Sequence, residues 1–109
     1  MARASSGFGD VVLCQFPSSS GVASKIRPAL VLFDLGQDVL ICRITSVFRS
    51  SSLDVPLSDW QSAGLLKPSV ARLDRLVTAE KRIVLKRLGV LTPKDSDAVR
   101  QVWNQQMKL

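Results

Sequence analysis

The sequence contains no histidine and no tyrosine among its 109 residues. Without histidine, the chain lacks the usual general base at neutral pH and the commonest metal ligand. Any catalysis would therefore rely on arginine, lysine, carboxylate, hydroxyl or backbone groups. Other aromatic residues are few, with two tryptophans and four phenylalanines, most of them in apolar runs. We expect few exposed aromatic platforms of the kind that stack on unpaired bases.

Cysteine is scarce as well. Cys14 and Cys42 lie far apart, each within an apolar run, and neither belongs to a CxxC pair or a cysteine–histidine cluster. This spacing argues against a zinc site and against a redox pair. We expect both thiols to be small buried apolar groups, and we predict no metal and no cofactor.

Long apolar runs are missing. No run approaches the roughly 20 residues that a membrane-spanning helix needs, and residues 1–7 lack the apolar region of a signal peptide. We therefore expect a cytoplasmic protein with no membrane association. The length and a hydrophobic fraction of 46% predict one folded domain, residues 1–109, with a single core.

Acidic residues are fewer than basic ones, with nine aspartates and glutamates and fifteen lysines and arginines. The net charge of +6 and the isoelectric point near 10.0 favour a polyanionic partner, either a nucleic acid or an acidic protein. A solvated basic surface with no such partner would have the same composition. Charge alone does not choose between these interpretations.

Short apolar runs between turn residues predict a mainly β fold. Residues 28–33 are continuously apolar and too short for a typical helix, which favours a buried strand. Pro56 suits an edge strand. The predicted strands span residues 10–16, 28–33, 39–48, 53–57 and 69–78, with a flexible loop at 17–24 and a turn at 36–38.

Two segments carry helix signals. Ser58 begins a capping-box pattern, and Gly64 would end a short inserted helix after one or two turns. Near the end of the chain Thr92 is a good N-cap, and Asp95 lies in the first turn, where the helix dipole favours an anion. Apolar residues at helical spacing then predict an amphipathic C-terminal helix over residues 93–107, packed on the sheet.

Residues 73–88 leave two alternatives open. Their leucine, isoleucine and valine side chains would line one face of a single long helix. The β-branched residues Val77, Thr78, Ile83 and Val84 favour two strands with residues 79–81 between them. Periodicity does not choose between the helix and the strands.

Several polar residues stand where predicted strands begin or end. Arg27 directly precedes a buried strand and follows a serine-rich loop, so its guanidinium can face solvent and bind a phosphate. An ordinary surface ion pair would suit the same position. Thr45 and Ser46 end the third predicted strand, and Arg43 shares a face with Thr45, which allows a basic strip with hydroxyl groups.

Arg72 and Asp74 are two residues apart and would share one face of an extended strand. Such a pair can place a carboxylate near a reacting hydroxyl while the guanidinium binds developing negative charge. An exposed ion pair on an edge strand is the plainer interpretation of the same two residues.

Five motifs occur in the order seen in the MazF/PemK family of toxins, and together they resemble that family over residues 9–107. The motif in which Arg-Pro follows a Gly-Asp strand is fairly specific, whereas the later motifs are individually loose. The resemblance implies a small SH3-like barrel of the CcdB/Kid/MazF type with a C-terminal α-helix, assembled as a homodimer. It also favours a strand at the start of residues 73–88. The motifs are Gly9-Asp10-Val11, Arg27-Pro28-Ala29-Leu30-Val31, Ile44-Thr45-Ser46, Arg72-Leu73-Asp74 and Leu88-Gly89-Val90-Leu91-Thr92.

The activity implied by this resemblance is metal-independent cleavage of single-stranded RNA, such as mRNA, by a toxin that an acidic antitoxin inhibits. The 2′-hydroxyl of the substrate would attack the adjacent phosphorus and leave a 2′,3′-cyclic phosphate and a 5′-hydroxyl. Arg27 would stabilise the phosphorane and Thr45 would hydrogen-bond the scissile phosphate. Arg72 and Asp74 match a pair that serves as acid and base in some relatives.

The same resemblance implies a wider RNA-binding surface, with the loop at 18–24 controlling access to it. The residues predicted to bind RNA are Ser24, Lys25, Arg43, Ser46 and Arg49.

Two other functions remain open at this point. A toxin of the same fold acts by binding DNA gyrase, so fold alone does not establish nuclease activity. A nucleic-acid-binding barrel without activity would show salt-sensitive binding and no cleavage. Convergence of Arg27, Thr45, Arg72 and Asp74 in one basic groove would favour the nuclease, and scattered positions would favour a protein-binding toxin.

Overall fold

The computed structural model of the protein describes residues 7–16 and 24–109. These residues form six strands, one 3₁₀ turn at Lys81–Ile83 and one α-helix. In chain order the elements are β1 (Asp10–Phe16), β2 (Lys25–Asp34), β3 (Asp38–Thr45), β4 (Asp54–Pro56), β5 (Val70–Glu80), β6 (Val84–Val90) and α1 (Pro93–Gln106). No helix in these residues is long and apolar enough to cross a membrane.

The six strands form one antiparallel sheet in the order β4-β5-β3-β2-β1-β6. The predicted mainly β class with a C-terminal helix is confirmed. Among the described residues β4 and β6 stay at the two edges, so the predicted barrel is not closed. Register shifts in three of the strand pairs mark where regular pairing breaks, as bulges do when they bend a sheet.

Both faces of the sheet bury apolar side chains, and the central strand β3 shows this directly. Val39 and Ile41 belong to one cluster, whereas Cys42 and Ile44 belong to the other, which also includes Val99 of α1. Side chains alternate between faces along a strand, so β3 contributes to two cores. Cys42 and Cys14 are free, buried thiols, as predicted.

The region that local periodicity left open consists of strands. β5 continues to Glu80, the 3₁₀ turn follows, and β6 starts at Val84. β5 pairs with β3 from Thr78 to Leu76 across Leu40 to Cys42. A long helix could not supply those ladder hydrogen bonds to β3, so strand pairing overrides the helical pattern of leucine residues.

The short inserted helix predicted after Ser58 is absent from the structure. Residues 58–64 form hydrogen-bonded turns, with Ala63 N donating to Asp59 O at 3.2 Å and Gly64 N to Gln61 O at 3.0 Å. Gly64 has φ +84°, which ends the helical hydrogen-bond pattern after a single turn.

The C-terminal helix has the predicted start. The Thr92 side chain accepts a hydrogen bond from Asp95 N at 3.4 Å, as an N-cap does. The Asp95 carboxylate is fully buried and accepts hydrogen bonds from Ser58 N at 2.9 Å and Asp59 N at 2.8 Å. Thr92 also donates to Asp59 Oδ2 at 2.7 Å. The first turn of α1 is therefore tied to residues 58–64, which are distant in sequence.

Residues 63 and 64 lie directly against β6. A Cβ atom built on Gly64 would lie 2.2 Å from Leu88 O, and one built on Gly89 would lie 2.6 Å from Ala63 O. Only glycine permits this approach of two backbones. The contact fixes the position of residues 65–67, which form one wall of the groove described below.

We expect Gly64→Ala to destabilise the protein more than Gly36→Ala. Both glycines have positive φ, but a Cβ at Gly36 meets no atom within 4 Å. Gly36→Ala should cost about 1–2 kcal/mol of unfolding free energy from backbone strain alone. Gly64→Ala should cost about 3 kcal/mol or more, since overpacking is added. Urea unfolding of both variants measures the difference, and equal losses would contradict the close backbone contact.

We expect Asp95→Ala to lower the free energy of unfolding by about 2–3 kcal/mol, because two backbone N–H groups lose their acceptor. Asp97→Ala, on the exposed side of the same helix turn, is the matched control and should change it by less than about 0.5 kcal/mol. Denaturant melts of the two variants provide the comparison. Equal stability would show that the link between α1 and residues 58–64 is unimportant.

Candidate functional site

A groove opens where β2 and β3 part. β2 pairs with β3 only from Ala29 onward, so its first four residues pair with β1 alone. Pro28 fits there because its missing N–H falls where β2 has no β3 partner. The groove has a volume of about 840 Å³. It is lined by Leu13, Ile26, Arg27, Pro28, Arg43, Ile44, Thr45, Ser46, Val47, Gly64, Leu65, Leu66, Lys67, Ser69, Lys86 and Leu88.

Four of the lining residues are cations, namely Arg27, Arg43, Lys67 and Lys86. All four are exposed, and none forms an ion pair with a described residue. None of the described lining residues carries a carboxylate. Clefts lined by charge of one sign concentrate the electric field, so the groove attracts anions.

Arg27 lies near the open end of β2, opposite Cys14 of β1. Its Nη1 donates to the carbonyl oxygen of Ile26 at 3.1 Å. A guanidinium has five N–H donors, and the described residues accept from only this one. The remaining donors are available to a phosphate in the groove.

Thr45 and Ser46 lie at the end of β3 and line the same groove. The Thr45 hydroxyl oxygen accepts a hydrogen bond from Val47 N at 3.1 Å. A hydroxyl group can accept and donate at once, and no described residue takes the Thr45 proton. The hydroxyl can therefore donate to an anion. The structure thus brings together Arg27, Arg43, Thr45 and Ser46.

The convergence that would favour a nuclease is only partial, because Arg27 and Thr45 line the groove together. Arg72 and Asp74 do not line it, and they belong to an ion-pair network beside it. Arg72 Nη2 lies 3.0 Å from Asp54 Oδ2 and donates to Val47 O at 2.7 Å. Asp74 Oδ1 lies 2.6 Å from Arg49 Nη2, and Arg49 also contacts Asp54 at 3.1 Å. No hydrogen bond joins Arg72 to Asp74 in the described part of the chain.

The network changes the acidity of Asp54. Burial of its side chain, which is 3% exposed, would raise the pKa of this carboxyl group. Hydrogen bonds from Arg72 and Arg49, together with their positive charges, outweigh that effect and hold the pKa below its ordinary 3.8. The hydrogen bond to Asp54 in turn raises the pKa of Arg49.

The remaining residues predicted to bind RNA lie outside the groove lining. Ser24 accepts a hydrogen bond from Gln15 Nε2 at 2.9 Å, Lys25 is exposed at the start of β2, and Arg49 belongs to the network. The loop predicted to control access covers residues 18–24, and all of it except Ser24 lies outside the described residues.

The sequence patterns did not indicate three residues of this region. Lys67 reaches the groove because Gly64 places the chain against β6, and Lys86 reaches it because β6 pairs with β1, with Lys86 opposite Leu13. Asp54 is buried by two arginines from other segments. Each placement depends on contacts between distant segments, and no local pattern signals them.

The bent antiparallel sheet, the single C-terminal helix and the basic groove define a MazF-like fold. The MazF-mt6 toxin of Mycobacterium tuberculosis is similar, with a TM-score of 0.72 and 23% identity over 87% of this chain and 93% of that chain. MazF of the MazE–MazF complex from Deinococcus radiodurans has a TM-score of 0.74 and 20% identity over 95% of this chain and 97% of that one. An endoribonuclease in complex with its cognate antitoxin, from a mycobacterial species, has a TM-score of 0.73 and 20% identity over 94% and 95% of the two chains.

The sequence decides the family. Residues 8–107 match the family model of PemK-like, MazF-like toxins of type II toxin–antitoxin systems, and the chain belongs to that family. No curated protein sequence matches it closely enough to add detail.

Acid should weaken the contribution of Asp54 to stability. The folded pKa of Asp54 lies below the unfolded value of 3.8. Its contribution to the free energy of unfolding is therefore complete above pH 3.8 and is lost as the pH falls through the folded pKa. We expect Asp54→Asn to be less stable than wild type at about pH 7, with the gap narrowing at about pH 3. Thermal melts at both pH values test this, and a constant gap would contradict it. Asp97→Asn serves as the control for an exposed carboxylate.

Proposed function

We propose that this toxin is a metal-independent endoribonuclease that cleaves single-stranded RNA. The proposal rests on the groove, which is lined by four cations and by the hydroxyl groups of Thr45 and Ser46. Among the described residues these cations have no ion-pair partner, and the lining has no carboxylate. An RNA backbone carries a negative charge at every phosphate, so its binding to such a groove would depend strongly on salt. The mycobacterial relative called an endoribonuclease has the same fold.

The proposed reaction uses the RNA's own nucleophile. The 2′-oxygen loses its proton and bonds to the adjacent phosphorus, and the bond from phosphorus to the 5′-oxygen breaks. The leaving oxygen gains a proton, which gives a 2′,3′-cyclic phosphate and a 5′-hydroxyl. Arg27 stabilises the extra negative charge of the phosphorane, and Thr45 donates a hydrogen bond to the same phosphate.

Electrostatic stabilisation suits Arg27 better than proton transfer, because an ordinary arginine has a pKa above about 12 and is a poor acid. The acid and base roles predicted for Arg72 and Asp74 stay predictions. In this structure Arg72 donates to Asp54 and Val47 O, and Asp74 accepts from Arg49, outside the groove lining.

The proposed protein partner is an acidic antitoxin. An acidic segment would complement the cations of the groove and could order on binding. Two similar structures are complexes with an antitoxin or with MazE. We also propose a cytoplasmic homodimer, since closed pairs are the commonest assemblies of small soluble chains.

The proposal predicts that the protein cleaves long single-stranded RNA in the presence of EDTA and leaves 2′,3′-cyclic phosphate ends. Arg27→Ala should lower the cleavage rate by about 100- to 1,000-fold, the range for losing one donor to transition-state charge. Arg82→Ala removes the same charge from an exposed site outside the groove and should leave the rate unchanged. Gel analysis with end-group mapping measures both.

Equal cleavage by Arg27→Ala and wild type would remove Arg27 from the mechanism. No cleavage of diverse RNAs by folded wild-type protein would overturn the nuclease proposal and favour a toxin that acts by binding another protein.

A further inference from the structure

Asp54 holds the ion-pair network together. Its carboxylate accepts hydrogen bonds from Arg72 Nε at 3.1 Å and Arg72 Nη2 at 3.0 Å, and from Arg49 at 3.1 Å and 3.2 Å. A carboxylate this deeply buried is costly unless it is paired and hydrogen-bonded. Both conditions are met, and the side chain is held from two directions.

Arg72 extends this contact to the segment after β3. It lies opposite Asp54 in the register of β4 and β5, and the same Nη2 atom donates to Val47 O at 2.7 Å. A planar guanidinium bound to a carboxylate has little freedom to rotate. Asp54 therefore orients Arg72, and Arg72 fixes the carbonyl group of Val47.

Val47 passes this constraint to Thr45. Its N–H donates to Thr45 Oγ1 at 3.1 Å, so one lone pair of the hydroxyl oxygen is occupied. The Thr45 proton must then point away from Val47 N. Thr45 lines the groove, and among the described residues nothing accepts that proton.

We propose that Asp54 and Arg72 are positioning residues that, through Val47, orient the Thr45 hydroxyl toward a phosphate of the bound RNA strand. The inference rests on the proposed nuclease function and deepens it. It differs from the acid and base roles of Arg72 and Asp74, because here Arg72 acts through Thr45 and does not touch the substrate.

A double-mutant cycle between Thr45→Val and Asp54→Asn tests the link. Thr45→Val should lower kcat/KM by about 10- to 100-fold, the value of one hydrogen bond to a charged group. Asp54→Asn should lower it by at least about threefold, and the double variant should be no worse than Thr45→Val. If the fold-loss of kcat/KM in the double variant equals the product of the two single losses, the proposal is overturned, and the network acts on RNA independently of Thr45.

Two further variants keep the cycle interpretable. Asp97→Asn makes the same chemical change at an exposed helix position and should leave kcat/KM unaltered. Arg72→Lys retains the charge but lacks the fork that reaches Asp54 and Val47 O together. Arg72→Lys should cause no further loss of kcat/KM when it is combined with Thr45→Val. If Asp54→Asn fails to fold, Arg72→Lys takes its place in the cycle.

Amide hydrogen exchange at Val47 provides a readout that needs no catalysis. Exchange should speed up in Asp54→Asn, Arg72→Lys and Thr45→Val, and it should stay at the wild-type rate in Asp97→Asn. An unchanged Val47 rate in Asp54→Asn would overturn the proposal. If the wild type cleaves no RNA, the nuclease function fails, and the exchange result still decides whether the network positions Thr45.

Discussion

The arrangement of the groove depends on the hydrogen bonds that the buried carboxylate of Asp95 accepts. This carboxylate accepts two backbone hydrogen bonds from Ser58 and Asp59 and joins the first turn of α1 to a segment more than thirty residues earlier. That segment then passes between α1 and β6, where Gly64 lies against Leu88. One wall of the groove is held in place by a polar contact inside the protein.

Most carboxylates of the protein pair with cations outside the groove and leave the groove cations without ion pairs among the described residues. Six of the nine carboxylates form ion pairs, all of them with cations that do not line the groove. The groove cations have no such partners in the described parts of the chain, so their field reaches solvent. Four positive charges with no described carboxylate as partner therefore lie where β2 and β3 separate, beside the hydroxyl groups of Thr45 and Ser46.

Sequence patterns predicted the elements whose signals are local. The strands and the C-terminal helix follow from short apolar runs, alternation and the cap at Thr92, and they lie within a few residues of the predicted bounds. The inserted helix predicted after Ser58 is replaced by hydrogen-bonded turns that end at Gly64, and the distant Asp95 carboxylate binds the first two N–H groups of this segment. The ambiguity over residues 73–88 ended with pairing between β5 and β3, which is a long-range contact.

By itself, the sequence determined the mainly β class, the basic character, the exclusion of histidine chemistry and the motifs that mark the toxin family. It also indicated Arg27, Thr45 and Ser46, because they stand at strand ends where side chains meet solvent. Arg43 was indicated by the strand face that it shares with Thr45. Only the tertiary structure decided that these four share one groove with Lys67 and Lys86, and that Arg72 and Asp74 belong to a separate network. The physical reason is that local patterns specify backbone conformation and burial, whereas strand pairing and a buried carboxylate decide which distant side chains meet.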